Sequence, residues 1–268
     1  MKDLIPKAGR AWSKVRWSLA QRGFAGTMKT ALVRLRRKDT ASDAKPRLHP
    51  FDVRYGVDTS GLIGGGDLRT GHKNDVFNTA YYGMAPSRFR QSIADWLSDR
   101  SHAAVADCSF IDLGCGKGRA IMLASEFPFR QVIGVELNPS LATIAKDNVT
   151  AWTAAGRGMC PVQVVCQDAT EFVFPDGPCL LYLFNPFAAP VVKRLIESIR
   201  TEFATRPGKL DLIYFNPEAG HLLDTDEGFE LRWTGSIPMS DEDTAADYVA
   251  SADDLCSFYR WVGSRQNG

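Results

Sequence analysis

The sequence predicts an α/β protein with a doubly wound, mostly parallel seven-stranded sheet, an antiparallel last strand and a basic helical N-terminal extension. Two observations predict this fold. Strand-like and helix-like runs alternate from residue 108 onward, which is typical of parallel sheets with helices on both faces. Positive charge is concentrated at the start: residues 1–48 hold 13 Lys and Arg against 3 Asp and Glu, a net of +10, whereas the remainder holds 19 against 28, a net of −9.

The N-terminal extension, residues 1–48, is predicted to form two short amphipathic helices. Met28, Ala31, Leu32 and Leu35 follow the i, i+3, i+4, i+7 spacing of one apolar helix face, with basic residues around them. Two interpretations stay open. The basic arm binds an anionic membrane surface, nucleic acid or an acidic partner, or it packs its apolar stripe on the core and leaves its charges in water.

The second segment, residues 49–106, is predicted to be a lid or linker followed by a leading helix. Residues 49–80 are rich in turn formers and are expected to be irregular, a candidate lid over a ligand site. The helix is expected near 86–98. Tyr81 and Tyr82 precede it, and an aromatic ring there either closes over a cofactor or packs in the core.

The third segment, residues 107–268, carries the predicted sheet. Its strands are expected near 109–113, 131–136, 162–167, 179–184 and 210–215. Its helices are expected near 118–126, 139–154, 188–204 and 218–224. Two further strands, near 229–233 and 256–262, have no convincing helix between them, which predicts an antiparallel pair at the sheet edge.

A glycine-rich turn gives the first indication of a ligand. Phe110–Arg119 reads Phe-Ile-Asp-Leu-Gly-Cys-Gly-Lys-Gly-Arg, so an apolar strand containing Asp112 runs into a turn and then a helix-like segment. Glycines let backbone approach a ligand closely, and an acidic residue at the end of the next strand, here Glu136, can accept hydrogen bonds from ribose hydroxyls. The turn glycines are Gly114, Gly116 and Gly118. The pattern predicts a nucleoside-binding βαβ unit.

Three details separate this unit from nicotinamide-binding proteins. The turn reads G-x-G-x-G rather than G-x-G-x-x-G, Asp112 stands two residues before the first glycine, and Asp168 adds an acidic residue after the third strand. A nicotinamide-dependent oxidoreductase therefore remains only an alternative. No metal site is expected, because no histidine pairs with a cysteine at metal-ligand spacing.

In four motifs the chain resembles the class I S-adenosylmethionine-dependent methyltransferases, a Rossmann-like family, over about residues 107–263. The motifs are Phe110–Gly118, Gly134–Pro139, Gln167–Ala169 and Leu181–Phe187. The resemblance implies S-adenosyl-L-methionine as the cofactor. The expected cofactor-binding residues are Asp112, Gly114, Gly116, Gly118, Glu136, Leu137, Asp168 and Ala169 from these motifs, together with Tyr82 as the aromatic residue before the helix.

The family motifs imply a role for each acidic residue. Asp112 receives the cationic methionine amino group, and Glu136 binds the ribose hydroxyls while Leu137 lies against the adenine face. Asp168 accepts from the adenine amino group, and the Ala169 backbone N–H reaches a ring nitrogen. The alternative for Asp168 is the N-cap of the following turn.

The expected catalytic residues, Asn185, Pro186 and Phe187, end the fourth strand. They are similar to the Asn-Pro-Pro-aromatic motif of amino-group methyltransferases, in which the Asn side chain and the next carbonyl orient the target nitrogen. Phe187 replaces the second Pro, which weighs against adenine or glutamine as the acceptor. The alternative is an ordinary Asn-Pro turn. A second Phe-Asn-Pro, at Asn216, ends the next strand, and Glu218 and His221 are proton-acceptor candidates.

The predicted function is methyl transfer to a nucleophile, with nitrogen favoured over carbon, of a protein or small-molecule substrate. The alternative of another class is a non-catalytic cofactor-binding protein that docks through its basic arm. A cytoplasmic location is expected, because no run approaches 18 apolar residues, the N-terminus lacks a secretory signal, and the six cysteines suggest buried thiols in a reducing compartment.

Overall fold

The computed structural model describes residues 48–98, 104–247, 249, 251 and 254–263. Residues 46–246 and 254–268 form one compact unit. A second unit comprises residues 1–45 and 247–253, of which only Asp247, Val249 and Ser251 are described. The helices predicted for the basic extension lie outside the described residues. Among those that are described, no helix is both long and apolar enough to cross a membrane.

Nine strands and seven α-helices occur in the described residues. The strands are β1 (Leu62–Ile63), β2 (Tyr81–Tyr82), β3 (Ser109–Leu113), β4 (Gln131–Glu136), β5 (Val162–Cys166), β6 (Cys179–Phe184), β7 (Leu210–Phe215), β8 (Phe229–Ser236) and β9 (Leu255–Trp261). The helices are α1 (Pro50–Tyr55), α2 (Pro86–Ser98), α3 (Arg119–Ala124), α4 (Pro139–Ala154), α5 (Ala189–Glu202), α6 (His221–Asp224) and α7 (Asp241–Ala246).

Seven of these strands form one sheet in the order β5-β4-β3-β6-β7-β9-β8, which confirms the predicted fold class. Strands β3 to β7 pair in parallel, and β9 is antiparallel to both β7 and β8. The strand order reverses at β3, which lies between β4 and β6. In open α/β sheets the crevice beyond the carboxyl end of such a switch point is where ligands bind.

Both faces of the sheet are covered, as the uninterrupted apolar strands require. Side chains of β3 alternate between the two apolar clusters: Ile111 and Leu113 join the cluster that contains α5, whereas Phe110 joins the one that contains α2 and α3. Helix α4 begins sharply because the Asn138 side chain accepts hydrogen bonds from two backbone N–H groups and Pro139 stands at the first turn.

The 49–80 region is more ordered than its turn-forming composition predicts. Helix α1 begins at a His49 N-cap and ends at Gly56, which has a φ of +65°. Leu62 pairs with Tyr82 in a two-stranded antiparallel sheet, β1–β2. Residues 49–98 and 104–106 belong to the same compact unit as the main sheet.

The tail forms the expected antiparallel edge pair, β8 with β9, although the short helix α7 occurs in the connection. A register shift between Leu231 and Trp233 interrupts this pairing. The interpretation of all six cysteines as buried was wrong for two: Cys160 is only half-buried, and Cys166, the last residue of the edge strand β5, is exposed. An edge strand has a neighbour on one side only, so its end is covered less.

Candidate functional site

A cleft lies at the carboxyl ends of β3, β4, β5 and β6, where the sheet order reverses. Residues 68–84, which we name the covering segment, contribute much of its other side through Leu68, Asn74 and 78–84. Ten of the residues predicted for the site line this cleft: Tyr82, Asp112, Gly114, Gly116, Glu136, Leu137, Asp168, Ala169, Pro186 and Phe187. The structure therefore brings together motifs that are up to about a hundred residues apart in the chain.

The first two turn glycines are required by their backbone angles and by their neighbours. Gly114 has a φ of +86° and Gly116 a φ of +55°, both in the left-handed region that favours glycine. A β-carbon at Gly114 would overlap the Pro186 ring, and one at Gly116 would overlap the Tyr81 ring. The turn is thus held between the strand end of the Asn-Pro-Phe motif and the covering segment.

The third turn glycine, Gly118, is not among the residues that line the cleft. It caps the start of α3 with a φ of +87°, and a β-carbon there would lie 3.2 Å from the Ala145 β-carbon on α4. Glycine is therefore needed at this position because α3 and α4 approach each other closely, and not for contact with a nucleoside.

Lys117 and Arg119, to which the sequence analysis gave no role, bind residues 58–60 and so hold the chain between α1 and β1 against the turn. The Lys117 Nζ atom lies 2.7 Å from Asp58 Oδ1 and donates to the Ser60 carbonyl at 2.9 Å. Arg119 Nε donates to the Thr59 hydroxyl at 2.6 Å. Both cations are more than nine-tenths buried. The sequence could have indicated these contacts, because two basic residues beside a predicted buried turn require hydrogen-bond or ion-pair partners.

The acidic residues at the ends of β3 and β4 lie in a poorly solvated environment. Burial, and then the negative charge of Glu136, raise the pKa of Asp112 well above its ordinary value. Burial also raises the pKa of Glu136, and hydrogen bonds from the backbone N–H groups of Asn138 and Gly116 act against that rise. These two bonds, at 2.9 and 2.8 Å, go to different carboxylate oxygens. A cationic ligand group is thus favoured beside Asp112.

Asp168 has the N-cap role that the sequence offered as the alternative, and its two carboxylate oxygens have different partners. Its Oδ1 atom accepts from the backbone N–H and the hydroxyl of Thr170, both at 2.9 Å, which makes it the N-cap of a short 3₁₀ turn. Its Oδ2 atom accepts from Asn74 Nδ2 at 2.5 Å, and His72 Nε2 lies 3.8 Å away. One carboxylate oxygen is therefore structural, and the other meets the covering segment where both Asp168 and Asn74 line the cleft.

The Asn-Pro-Phe turn after β6 is paired with the covering segment. The Pro186 carbonyl accepts from the Thr79 backbone N–H at 3.2 Å, and the Asn185 carbonyl accepts from the Thr79 hydroxyl at 2.5 Å. Asn185 itself is not among the cleft-lining residues, although its Oδ1 atom is buried with no hydrogen-bond partner among the described residues. The Pro186 carbonyl, which corresponds to the one that the family motif offers to a target nitrogen, thus already accepts a hydrogen bond from Thr79.

The remaining candidates lie away from the cleft lining. Asn216 has a φ of +48°, close to the +43° of Asn185, but does not line the cleft, and His221 is exposed at the start of α6. The hydroxyl of Tyr81 donates to the Thr59 carbonyl at 2.7 Å, and that of Tyr82 lies 3.3 Å from Asp254 Oδ2. Neither of these two contacts is with a carboxylate that lines the cleft.

These residues fit a sulfonium nucleoside by the chemistry of their donor and acceptor groups. Asp112 offers a buried carboxylate to an ammonium group, and each Glu136 oxygen keeps a lone pair beyond its backbone hydrogen bond, sufficient for a ribose hydroxyl. Asp168 Oδ2 offers an acceptor to an amino group. A pyrophosphate, in contrast, would meet the charge of Asp112 next to the glycine-rich turn.

Comparison with known proteins agrees with this assignment. Residues 110–224 match the family model described as a methyltransferase domain. A 49-residue stretch is 49% identical to the release factor glutamine methyltransferase of Vibrio cholerae, and it covers 18% of this chain and 17% of that protein. The chain thus spans well under two thirds of this relative.

Solved structures are more distant. The Bacillus subtilis m1A22 tRNA methyltransferase TrmK is 13% identical with a TM-score of 0.46, and 67% of each chain is covered. An RNA methyltransferase from Salinibacter ruber in complex with S-adenosyl-L-homocysteine is 17% identical with a TM-score of 0.41, over 66% of this chain and 94% of that one. Likeness at this level carries no argument about substrate. The matched domain, the sheet order and the cleft chemistry together support a class I S-adenosylmethionine-dependent methyltransferase.

Proposed function

We propose that the protein transfers the methyl group to a nitrogen atom of a protein or small-molecule substrate. The observation that supports this most is the Asn185 side chain at the end of β6, whose buried Oδ1 atom has no hydrogen-bond partner within the part of the chain that the structure describes. Pro186, the next residue, packs on Gly114 of the cofactor turn. An acceptor oxygen so close to the turn suits a substrate N–H group, because an unpaired buried oxygen is costly until a donor reaches it.

In this proposal, different residues hold the cofactor and the substrate. Asp112, Glu136 and Asp168 hold the cofactor, which supplies an electrophilic methyl group when bound. Asn185 orients the acceptor nitrogen so that its lone pair faces that methyl group. Methyl transfer depends mainly on such in-line alignment, so no strong base is required for an amine that is already neutral. His221, a candidate base, is exposed and does not line the cleft, which agrees with a transfer that needs no strong base.

The experiment compares two glycine substitutions that preserve backbone conformation. Asn185→Gly and Asn216→Gly each remove an amide from a left-handed position that glycine adopts without strain. Wild type and both variants are incubated with labelled cofactor and a lysate of the source organism, and the labelled species and atom are identified. Asn185→Gly is expected to lower the transfer rate by about a hundredfold, the cost of a misplaced acceptor, with unchanged affinity for S-adenosylhomocysteine. Asn216→Gly is expected to leave both unchanged.

Two results would contradict the proposal. Label on carbon rather than nitrogen would overturn the choice of acceptor atom. A wild-type rate in Asn185→Gly would show that this side chain does not orient the substrate, whichever atom is methylated.

We also propose that the basic extension, residues 1–48, brings the enzyme to an anionic partner, because it carries a net charge of +10 against −9 in the rest of the chain. Replacing Arg34, Arg36, Arg37 and Lys38 by Gln should weaken salt-sensitive binding to anionic vesicles or RNA without altering affinity for S-adenosylhomocysteine. Unchanged binding would leave the extension only a packing role.

A further inference from the structure

The contacts of Asp168 lead to a residue that the sequence motifs do not contain. Its Oδ1 atom is already occupied by both donors of Thr170, so Oδ2 is the oxygen better placed to accept from a nucleobase. Oδ2 also accepts from Asn74 Nδ2 at 2.5 Å, and Asn74 is only 4% exposed. A carboxylate oxygen has two lone pairs, so the two donors can share it.

The orientation of the Asn74 amide is fixed from the opposite side. The Nη2 atom of Arg194, on helix α5, donates to Asn74 Oδ1 at 2.6 Å. Because a guanidinium group only donates, the amide oxygen must face Arg194 and the amide NH₂ must face Asp168. The three side chains thus form one directed chain of hydrogen bonds, from Arg194 through Asn74 to Asp168.

The backbone around Asn74 is itself held in place. The Asp75 carboxylate accepts from the backbone N–H groups of Thr70, Gly71 and His72 at 2.6, 2.7 and 3.0 Å. Although burial acts to raise the pKa of Asp75, these hydrogen bonds and that of the Thr70 hydroxyl lower it overall. The loop that presents Asn74 is therefore closed on an ionised carboxylate, which limits its freedom before any ligand binds.

We propose that Asn74, oriented by Arg194, is a positioning residue that holds Asp168 Oδ2 toward the cofactor's adenine amino group. It makes recognition of the nucleobase depend on the covering segment, which carries Asn74. This inference rests on the proposed cofactor role of Asp168. Since a fixed acceptor attracts an amino group and repels a carbonyl oxygen, the geometry selects a 6-amino over a 6-oxo purine.

The test measures this selectivity by calorimetry with two ligands. They are S-adenosylhomocysteine and S-inosylhomocysteine, in which a carbonyl oxygen replaces the adenine amino group. We expect wild type to prefer the former by about 10- to 100-fold in Kd, the value of one hydrogen bond to a charged group. Asn74→Ala should reduce that preference to about threefold or less, and Arg194→Met should reduce it part of the way.

The matched control is Lys73→Ala, the exposed neighbour of Asn74, for which an unchanged preference is expected. Both dissociation constants come from the same protein sample, so a partly unfolded variant loses apparent affinity for both ligands without changing their ratio. An unchanged ratio in Asn74→Ala, or no preference in wild type, overturns the inference. An unchanged ratio in Arg194→Met alone removes Arg194 from it. Failure of wild type to bind S-adenosylhomocysteine at all would instead count against the cofactor assignment.

Discussion

The contact between Tyr81 and the glycine-rich turn makes a specific prediction for Gly116→Ala. A left-handed φ costs a non-glycine residue about 1–2 kcal/mol. The new methyl group would also overlap the Tyr81 ring, and overpacking of this kind costs about 1–3 kcal/mol. We therefore expect a loss of about 2–5 kcal/mol in the free energy of unfolding, and a Tm lower by about 5–15 °C for a chain of this size.

The chain provides a matched control in Gly156→Ala. Gly156 has a φ of +70°, and a β-carbon there would have no described atom within 4 Å apart from those of its own chain neighbours. This variant carries only the backbone cost, about 1–2 kcal/mol. The difference between the two variants, measured by thermal and urea unfolding, isolates the steric contribution of Tyr81.

A double substitution completes the test. Combining Tyr81→Ala with Gly116→Ala removes the overlap and keeps the strained backbone, so the double variant should be less destabilised than the sum of the single variants. If Gly116→Ala unfolds no more easily than Gly156→Ala, or if the two substitutions simply add, the covering segment does not pack on the turn as described.

Two further predictions concern pH. The pKa of Asp112 is raised by burial and by Glu136, and protonation removes its attraction for an ammonium group. Calorimetry should therefore show that the affinity for S-adenosylhomocysteine falls as the pH drops below that raised pKa. Asp112→Asn should flatten this pH dependence of the affinity. The pKa of Asp75 is lowered in the folded state, so its contribution is present above about pH 4 and is lost as the pH falls through the lowered value. Asp75→Asn should accordingly cost about 2 kcal/mol at pH 7 and progressively less in acid, as followed by urea unfolding; a pH-independent difference would contradict this origin.

Much of the fold could be predicted because it is encoded locally. The central strands are short apolar runs bounded by turn formers, and each predicted central strand agrees with the structure to within a residue. Asp112 and Glu136 follow the same logic: a residue at the end of a parallel strand must lie at the same sheet edge as its neighbours. Irregular composition misled the prediction for residues 49–80, where α1 and β1 are stabilised by distant partners, and the short helix α7 was also missed.

The sequence by itself determined the sheet, the glycine-rich turn and the acidic residues at the strand ends, because hydrophobic periodicity and turn chemistry act over a few neighbouring residues. Only the tertiary structure decided what covers that turn. Asn74 meets Asp168 across 94 residues and Arg194 across 120. Packing of the whole domain determines which side chains so far apart in the sequence meet, and no short-range spacing of residues indicates such contacts. The same holds for Lys117, which belongs to the motif but contacts Asp58 across 59 residues.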